Sequence, residues 1–442
     1  MPHLKSYPLS AKFSALLVSC IASILLARAA DPTLIPPLTL SDLVDEALTH
    51  HPELRFYKAE VAVAKAGHHN AGRLTNPELS GTLGQNRVRD TAAKVSGEGV
   101  AWSVGLMQQF EWPGRIGLRK AIANQNIALA ELGLARFKAA LANRVRTLGY
   151  TLGSAVEQAT VSREVAERLR ALREVLVQRD PSGPTPLLET RIIEATELIA
   201  QRAASEAELA VTHALIDLNQ LRGRSPGAPL ALATSTPVFY PAPGLDGLLS
   251  AAYTNNFDLR LRTSELEQQG FRVELARNER YPSFTVGPTL TEENAGDRQR
   301  ILGLAVSIPL PLWSNNRAIV DVAKARQLQA EASLQATQRE LDRQIATAAR
   351  TYEAKLAVLF RWRGDAIAHF REAADTADKH YRLSAVPMTT YVELQRQYVD
   401  AVNALLSTRR EALEAAAQLE ILTGLTEPLV GWSLETKQEI GK

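Results

Sequence analysis

Two pairs of adjacent histidines are the residues of this chain that most suggest metal chemistry. They are His50-His51 and His68-His69. Adjacent side chains on a helix point about 100° apart, so neither pair could chelate one ion well. The chain has three methionines and one cysteine, too few for a path of sulfur ligands for copper(I). The sequence therefore predicts no metal site and no cofactor, and we interpret the histidines as polar residues near helix ends.

Two aspartates are the second candidate for chemistry. Asp375 and Asp378 lie one helical turn apart and therefore share one face of a helix. They could line a charged passage, or they could belong to an ordinary solvated face with Arg371 and Arg382 as partners four residues away. The sequence contains no P-loop, HExxH motif, GxSxG elbow or paired cysteines, so we predict no catalytic residues and do not expect an enzyme.

The segments that carry these residues occur twice in the chain. Residues 43–55 correspond to residues 248–260, and Leu221-Arg222-Gly223 corresponds to Leu422-Thr423-Gly424. An interval of about 200 residues is far longer than a solenoid repeat, so one large unit is duplicated. We predict a first repeat over 38–223, a linker rich in proline and glycine over 224–245, a second repeat over 246–424 and a tail over 425–442.

Each repeat is predicted to contain one very long helix. Proline is absent from residues 115–180 and 317–386, and apolar residues recur there at alternating steps of three and four. At 1.5 Å per residue, about 65 residues form a rod of roughly 100 Å, so the molecule must be elongated. Shorter helices are predicted over 43–74, 186–222, 248–280 and 389–424, stacked in pairs beside the long helices.

Between the first short helix and the long helix of each repeat, the sequence alternates with period two. Residues 100–106 and 302–308 alternate large apolar with small side chains, and partner strands are predicted at 79–83 and 284–290. Strands with one apolar and one small or polar face are typical of a transmembrane β-barrel. Four strands cannot close a barrel. Three copies of the chain would therefore form a single shared barrel of twelve strands. The predicted fold is mainly α with a small β part.

The first residues predict export from the cytoplasm. Lys5 and Lys12 precede an apolar run over 13–26, and Ala27-Arg28-Ala29 offers a cleavage site, so residues 1–29 are predicted to be a signal peptide. An alternative stays open, because residues 17–20 are similar to a lipobox that would place a lipid on Cys20. The formal net charge of +2 argues against a nucleic-acid partner.

The repeated order of elements, the signal peptide, the junctions at residues 110–115 and 312–317 and the turn at 381–384 carry a family resemblance. The chain resembles the outer-membrane efflux protein (TolC) family, in particular outer-membrane components of heavy-metal cation efflux systems. The resemblance implies a homotrimeric channel-tunnel in outer-membrane lipid, with a helical α-barrel extending into the periplasm. It also implies two partners, a periplasmic adaptor (membrane fusion) protein and an inner-membrane pump.

The resemblance further implies roles near the far end of the helices. Asp375, Asp378 and Arg173 would form a periplasmic entrance gate, since Arg173 occupies in the first repeat the place of Asp375 in the second. The adaptor-docking tip would consist of Arg382, Leu383, Ser384 and Pro387. The expected function is a passive exit duct for metal cations or small toxic compounds. A non-transporting periplasmic coiled-coil scaffold and a type I protein secretion duct remain as alternatives.

Overall fold

The structure is a computed structural model that describes residues 37–89, 91, 93–177, 184–233, 235–312, 316–362, 366–383, 385–425 and 427–434. In chain order the first repeat contains α1 (Leu40–His50), α2 (Glu53–Ala71), β1 (Glu78–Arg89), β2 (Val95–Phe110), α3 (Arg115–Val177) and α4 (Pro184–Leu221). Then come β3 (Ser235–Phe239), α5 (Leu245–Asn255), α6 (Phe257–Asn278), β4 (Phe284–Asn294), β5 (Arg298–Ser307), α7 (Arg317–Arg361), α8 (Ala366–Arg382), α9 (Met388–Thr423) and β6 (Val430–Leu434). The prediction of a mainly helical fold with a small β part is confirmed.

The long helix of the first repeat is the main axis of the molecule. α3 has 63 residues and is therefore roughly 95 Å long. Helices α1 and α2 pack along its first half and α4 along its second half, which is the predicted stacking of two short helices beside a long one. In the part of the chain that the structure describes, no helix has an apolar stretch long enough to cross a membrane.

Three helices predicted as continuous are interrupted, and these predictions were wrong. The helix expected over 43–74 ends at His50 and restarts at Glu53, and the helix expected over 248–280 is broken at Asn256. Asn256 is extended and its side chain accepts a hydrogen bond from the Leu259 amide, so it caps a new helix. The second long helix ends at Arg361, where Trp362 is extended, and α8 begins at Ala366.

Each repeat ends at a glycine in the left-handed conformation. This glycine packs against the break between the first two helices of the same repeat. Gly223 has φ of +67° and packs on the backbone of His50, while Gly424 has φ of +61° and packs on Asn255. A side chain on Gly424 would lie 2.6 Å from the Asn255 Cβ, so only glycine fits this close approach. The similar joints show that the duplicated sequence motifs perform the same packing task twice.

The predicted linker carries a strand that the sequence analysis missed. β3 pairs antiparallel with β6 of the predicted tail, from Ser235 opposite Leu434 to Phe239 opposite Val430. The Tyr352 hydroxyl donates to the Tyr240 carbonyl over 2.7 Å and so fixes this small sheet to α7. The sheet lies on the core of the second repeat, which Leu248, Ile345 and Leu419 help to form.

The four remaining strands form one antiparallel sheet in the order β1-β2-β4-β5. All four predicted strands are confirmed. Each is longer than predicted, although β5 ends at Ser307, one residue before its predicted end. Pro288 lies inside β4, where the register between β2 and β4 is interrupted opposite Leu106 and Met107. Proline has no N–H to donate to a ladder, which explains why the interruption occurs here.

Candidate functional site

The sheet has one strongly apolar face. Leu83 pairs with Trp102, and Val104 pairs with Leu290, which in turn pairs with Leu302, so these side chains project from the same side. Leu83 and Leu302 are the most exposed of them in the single chain, by 82% and 80%. Apolar surface of this extent is unfavourable in water and favourable in lipid. This face carries the large apolar side chains whose alternation over 100–106 and 302–308 predicted a lipid-facing side.

The opposite face carries small and polar side chains. The Thr82 and Ser103 hydroxyls are 2.6 Å apart across β1 and β2, and the Ser80 hydroxyl donates to the Gly105 carbonyl. Thr289 and Gly303 continue this face on β4 and β5. Such a surface can line an aqueous passage because it offers hydroxyl groups to water and no bulk to block the space.

Both outer strands of this sheet lack a partner on one side in the described chain. β1 pairs only with β2, and β5 only with β4. Unpaired backbone N–H and C=O groups within lipid cost several kcal/mol each, so the two edges must be joined to something else in a membrane.

Aromatic pairs lie at the end of the sheet where the strands pass into helices. Phe110 stacks on Phe284 with ring centroids 5.7 Å apart, and Trp112 stacks on Tyr281 at 4.9 Å. The Arg115 guanidinium donates to the Tyr281 carbonyl over 2.7 Å and holds α3 to the end of α6. Transmembrane barrels carry girdles of aromatic residues at the membrane interfaces, and this group has the composition and position of one.

Two ion pairs connect the repeats at the far end of the helices. The Arg168 guanidinium of α3 donates to the Asp375 carboxylate of α8 over 2.5 Å, and Arg371 reaches Glu164 at 3.4 Å. Arg168 also contacts Glu164, so the four charges form one chain. Below them lies an apolar core from α3, α4, α8 and α9 that includes Leu169 and Tyr391. We call the end of the molecule built around this core the helical tip.

Asp378 has a different neighbourhood from Asp375. Its carboxylate accepts a hydrogen bond from Arg382 over 3.0 Å, four residues away on the same helix, which is one of the two partners considered above. Burial, followed by the Asp378 charge, raises the pKa of the Tyr391 hydroxyl well above its usual range. Asp378 is therefore paired with a surface arginine and lies near a buried tyrosine.

Arg173 does not lie against either aspartate. Its guanidinium binds Glu197 of α4 at 2.9 Å, and this glutamate is only 2% exposed. Sequence reasoning chose Arg173 because it is the repeat-related equivalent of Asp375, but equivalence within a duplication does not place two residues in contact. The residue that does contact Asp375 is Arg168. Its only sequence signal is the Glu164/Arg168 pair at a four-residue spacing.

The residues predicted for docking surround the turn from α8 to α9. Leu383 is 75% exposed, the Arg382 side chain is 65% exposed, and Pro387 is the N-cap of α9. Ser384 lies outside the described residues. A groove of about 410 Å³ runs beside the turn between Leu172 of α3 and Met388 of α9.

The histidine pairs lie apart from this tip. His51 is 8% exposed and packs against Phe137, while the His50 ring interacts with the Glu46 carbonyl. His68 and His69 are in the last turn of α2. No group of three or more His, Cys, Asp or Glu side chains suited to a metal ion occurs among the described residues. Cys20 and the predicted signal peptide lie outside these residues.

Comparisons with known proteins give a consistent result. Residues 248–425 match the family model described as outer membrane efflux protein. The Campylobacter jejuni outer membrane channel CmeC is similar at 16% identity and a TM-score of 0.69, over 87% of this chain and 85% of that chain. CusC is similar at 16% identity and a TM-score of 0.67, over 87% of this chain and 91% of that chain. The open state of the Neisseria gonorrhoeae MtrE outer membrane channel is similar at 18% identity and a TM-score of 0.67, over 87% of this chain and 88% of that chain.

A search of curated proteins gives no match. The predicted resemblance is nevertheless confirmed by the family model and by the structures. Residues 248–425 therefore resemble the outer membrane efflux protein family, and the described chain has the fold of the solved outer-membrane efflux channels.

Proposed function

We propose that three copies of this chain form a passive exit duct in the outer membrane. The duct would release metal cations or small toxic compounds that an inner-membrane pump and a periplasmic adaptor deliver to it. In this proposal residues 38–223 and 246–424 are the two repeats, joined by the linker over 224–245. The observation that carries the proposal is the four-stranded sheet, which has two unpaired edges, one apolar face and one small polar face.

The edges favour a closed assembly over an open one. If β5 of one copy pairs with β1 of the next, three copies bring together twelve strands, above the eight of the smallest membrane barrels. The apolar face then meets lipid and the hydroxyl-bearing face surrounds the passage. The same observation disfavours the scaffold alternative, because a hairpin in water would not leave Leu83 and Leu302 about four-fifths exposed.

Cross-linking tests this assembly directly. Cysteine pairs, one on β1 and one on β5, are introduced at facing positions of the unpaired edges. Oxidised outer-membrane fractions should give covalent dimers and trimers on denaturing gels. A matched control pair on β2 and β4 should cross-link only within one chain. Intermolecular products absent from every edge pair would contradict the shared barrel.

We further propose that the charges at the helical tip hold the periplasmic entrance closed. The proposal is supported by the Arg168–Asp375 and Arg371–Glu164 bonds, which tie α3 of one repeat to α8 of the other. Separation of the hairpins would require both bonds to break. Arg168 Nη1 is buried without a hydrogen-bond partner among the described residues, so the guanidinium has an unused donor for a second arrangement. Arg173 would keep its own hairpin rigid through Glu197.

The exposed turn at the tip is the proposed adaptor contact. Leu383 presents an apolar side chain at the end of the rod beside the groove between Leu172 and Met388. Leu383→Asp should abolish export while leaving the trimer and its conductance intact, and Leu312→Asp would serve as a control at the other end of the rod, since Leu312 is similarly exposed by 71%. Normal export by the Leu383 variant would place the adaptor elsewhere. The cargo is identified by measuring which of zinc, cobalt, copper and organic toxicants inhibit a deletion strain more than the unaltered strain.

A further inference from the structure

Three charged side chains form a fixed cluster where the apolar face of the sheet ends. Glu292 of β4 is buried, with 6% of its side chain exposed, beneath Arg298 and Arg300 of β5. Arg298 donates to one carboxylate oxygen through Nε over 2.7 Å and approaches it through Nη2 at 2.6 Å. Arg300 donates to the other oxygen over 2.8 Å. The carboxylate therefore holds two guanidinium groups side by side.

The two guanidinium groups remain open to the surroundings. Their side chains are 60% and 64% exposed, although each already has one bond to Glu292. An arginine fork presents five N–H donors, so each group keeps donors that point away from the carboxylate. Because Glu292 fixes both side chains, less rotamer entropy is lost when a ligand binds them.

The cluster lies on the lipid-facing side of the sheet. Arg300 pairs across the strands with Glu292, and Glu292 pairs with Trp102, whose face also carries Val104 and Leu302. The position is next to the β4–β5 turn, at the end of the sheet opposite the helices. With the helices in the periplasm, this end is level with the outer leaflet of the membrane.

A second ion pair lies at this level and adds no net charge. Arg87 of β1 contacts Glu98 of β2 on the same face, near the other hairpin turn. The two groups together contain three arginines and two glutamates, so their combined charge is one positive charge, which comes from the Glu292 cluster. The outward residues of the β1 edge are Leu79, Gly81, Leu83, Gln85 and Arg87, none of which is acidic. A neighbouring copy joined along that edge would therefore not neutralise the cluster through these residues.

We propose that Arg298 and Arg300, positioned by Glu292, bind the phosphate groups of the phosphorylated glycolipid in the outer leaflet. Paired arginine forks match the geometry of phosphate oxygens and form charge-assisted hydrogen bonds with them. Acyl chains of the same lipid would lie along the apolar rows that begin at Leu302 and Trp102. This inference rests on the membrane placement of the sheet proposed above.

The test measures lipid binding to the full-length purified trimer in a non-ionic detergent. The probes are bis-phosphorylated lipid A, the same lipid A after removal of both phosphates, and inorganic phosphate. Arg298→Gln/Arg300→Gln should weaken binding of the phosphorylated lipid at least about tenfold. Arg298→Lys/Arg300→Lys should have an affinity for the phosphorylated lipid between those of the unaltered protein and the double-glutamine variant, because it keeps the charge and loses the fork. Arg343→Gln is the matched control, since Arg343 is also 64% exposed and paired to a glutamate, but on the helical rod.

The outcomes separate this proposal from that of the duct. Equal binding of phosphorylated and dephosphorylated lipid would show that only acyl chains are recognised and would overturn the proposal. An unchanged affinity in the double-glutamine variant would overturn it as well, as would inorganic phosphate displacing the lipid at equal concentration. Trimer cross-linking and conductance are measured on the same samples, so a variant that conducts normally but loses lipid supports the lipid site alone.

Discussion

A charge placed on the apolar face of the sheet gives the sharpest test of the membrane assignment. Leu304 and Ala305 are neighbours on β5 that face opposite sides, with Leu304 69% exposed on the apolar side opposite Pro288. An arginine at the middle of a membrane barrel costs about 2–4 kcal/mol on the lipid face. Three copies would therefore lose about 6–12 kcal/mol per trimer through Leu304→Arg. Ala305→Arg places the same side chain on the polar face and should cost little.

The assay is the amount of heat-dissociable trimer in outer-membrane fractions, measured for both variants at matched expression. We expect Leu304→Arg to reduce trimer severely and Ala305→Arg to assemble as the unaltered protein does. Equal assembly of the two variants would refute the assignment of the faces. Equal failure would also refute it, since that result would mean that β5 tolerates no arginine on either side.

Other predictions concern the tip and the joints between helices. Replacing Asp375 and Asp378 by Asn should raise single-channel conductance and weaken block by multivalent cations. The reason is that three acidic pairs around a passage concentrate such cations. Unchanged conductance and block in planar bilayers would assign both aspartates to a solvated face. Asn256→Ala should lower the free energy of unfolding by about 2 kcal/mol, because it removes the cap on Leu259 and the bond to the Leu422 carbonyl; a melting temperature equal to that of the unaltered protein would contradict this. Burial opposes the charged form of Glu46, but bonds to two arginines outweigh burial and lower its pKa. The stabilisation from Glu46 is therefore present at neutral pH and is lost as the pH falls from 4.5 through the lowered pKa. Glu46→Gln should lower the melting temperature at pH 7, and its difference from the unaltered protein should shrink as the pH falls below 4.5.

Regular periodicity made the large elements predictable. The three-four spacing over 115–180 identified α3, whose described residues run from Arg115 to Val177, and the period-two spacing identified β2 and β5. These segments are long and repeat one pattern many times, so a local irregularity does not obscure the signal. The inward and outward faces followed from the same alternation.

The break at Asn256 was harder to predict, because a single cap residue decides it. Asn256 stops one helix and starts the next through two side-chain hydrogen bonds, one of which reaches Leu422 at the other end of the repeat. A contact between residues so far apart leaves no periodic trace. His51 occupies the corresponding position without such bonds, and its Nδ1 is buried without a partner among the described residues.

The contact between Arg168 and Asp375 could not be predicted for a related reason. The duplication relates positions by a fixed offset, which indicates equivalence and not proximity. Which residue of α3 faces α8 depends on how the two hairpins rotate about their axes when they pack, and a surface charge gives little constraint on that rotation.

The pairing of β3 with β6 has a consequence for how the chain is completed. β3 can find its partner only after the whole second repeat has followed it, because β6 begins at Val430. A polypeptide interrupted anywhere before that point would leave Ser235–Phe239 as a bare strand beside the helices, open to pairing with other molecules or to proteolysis. The edge of β3 is therefore covered only in a chain that extends through Leu434.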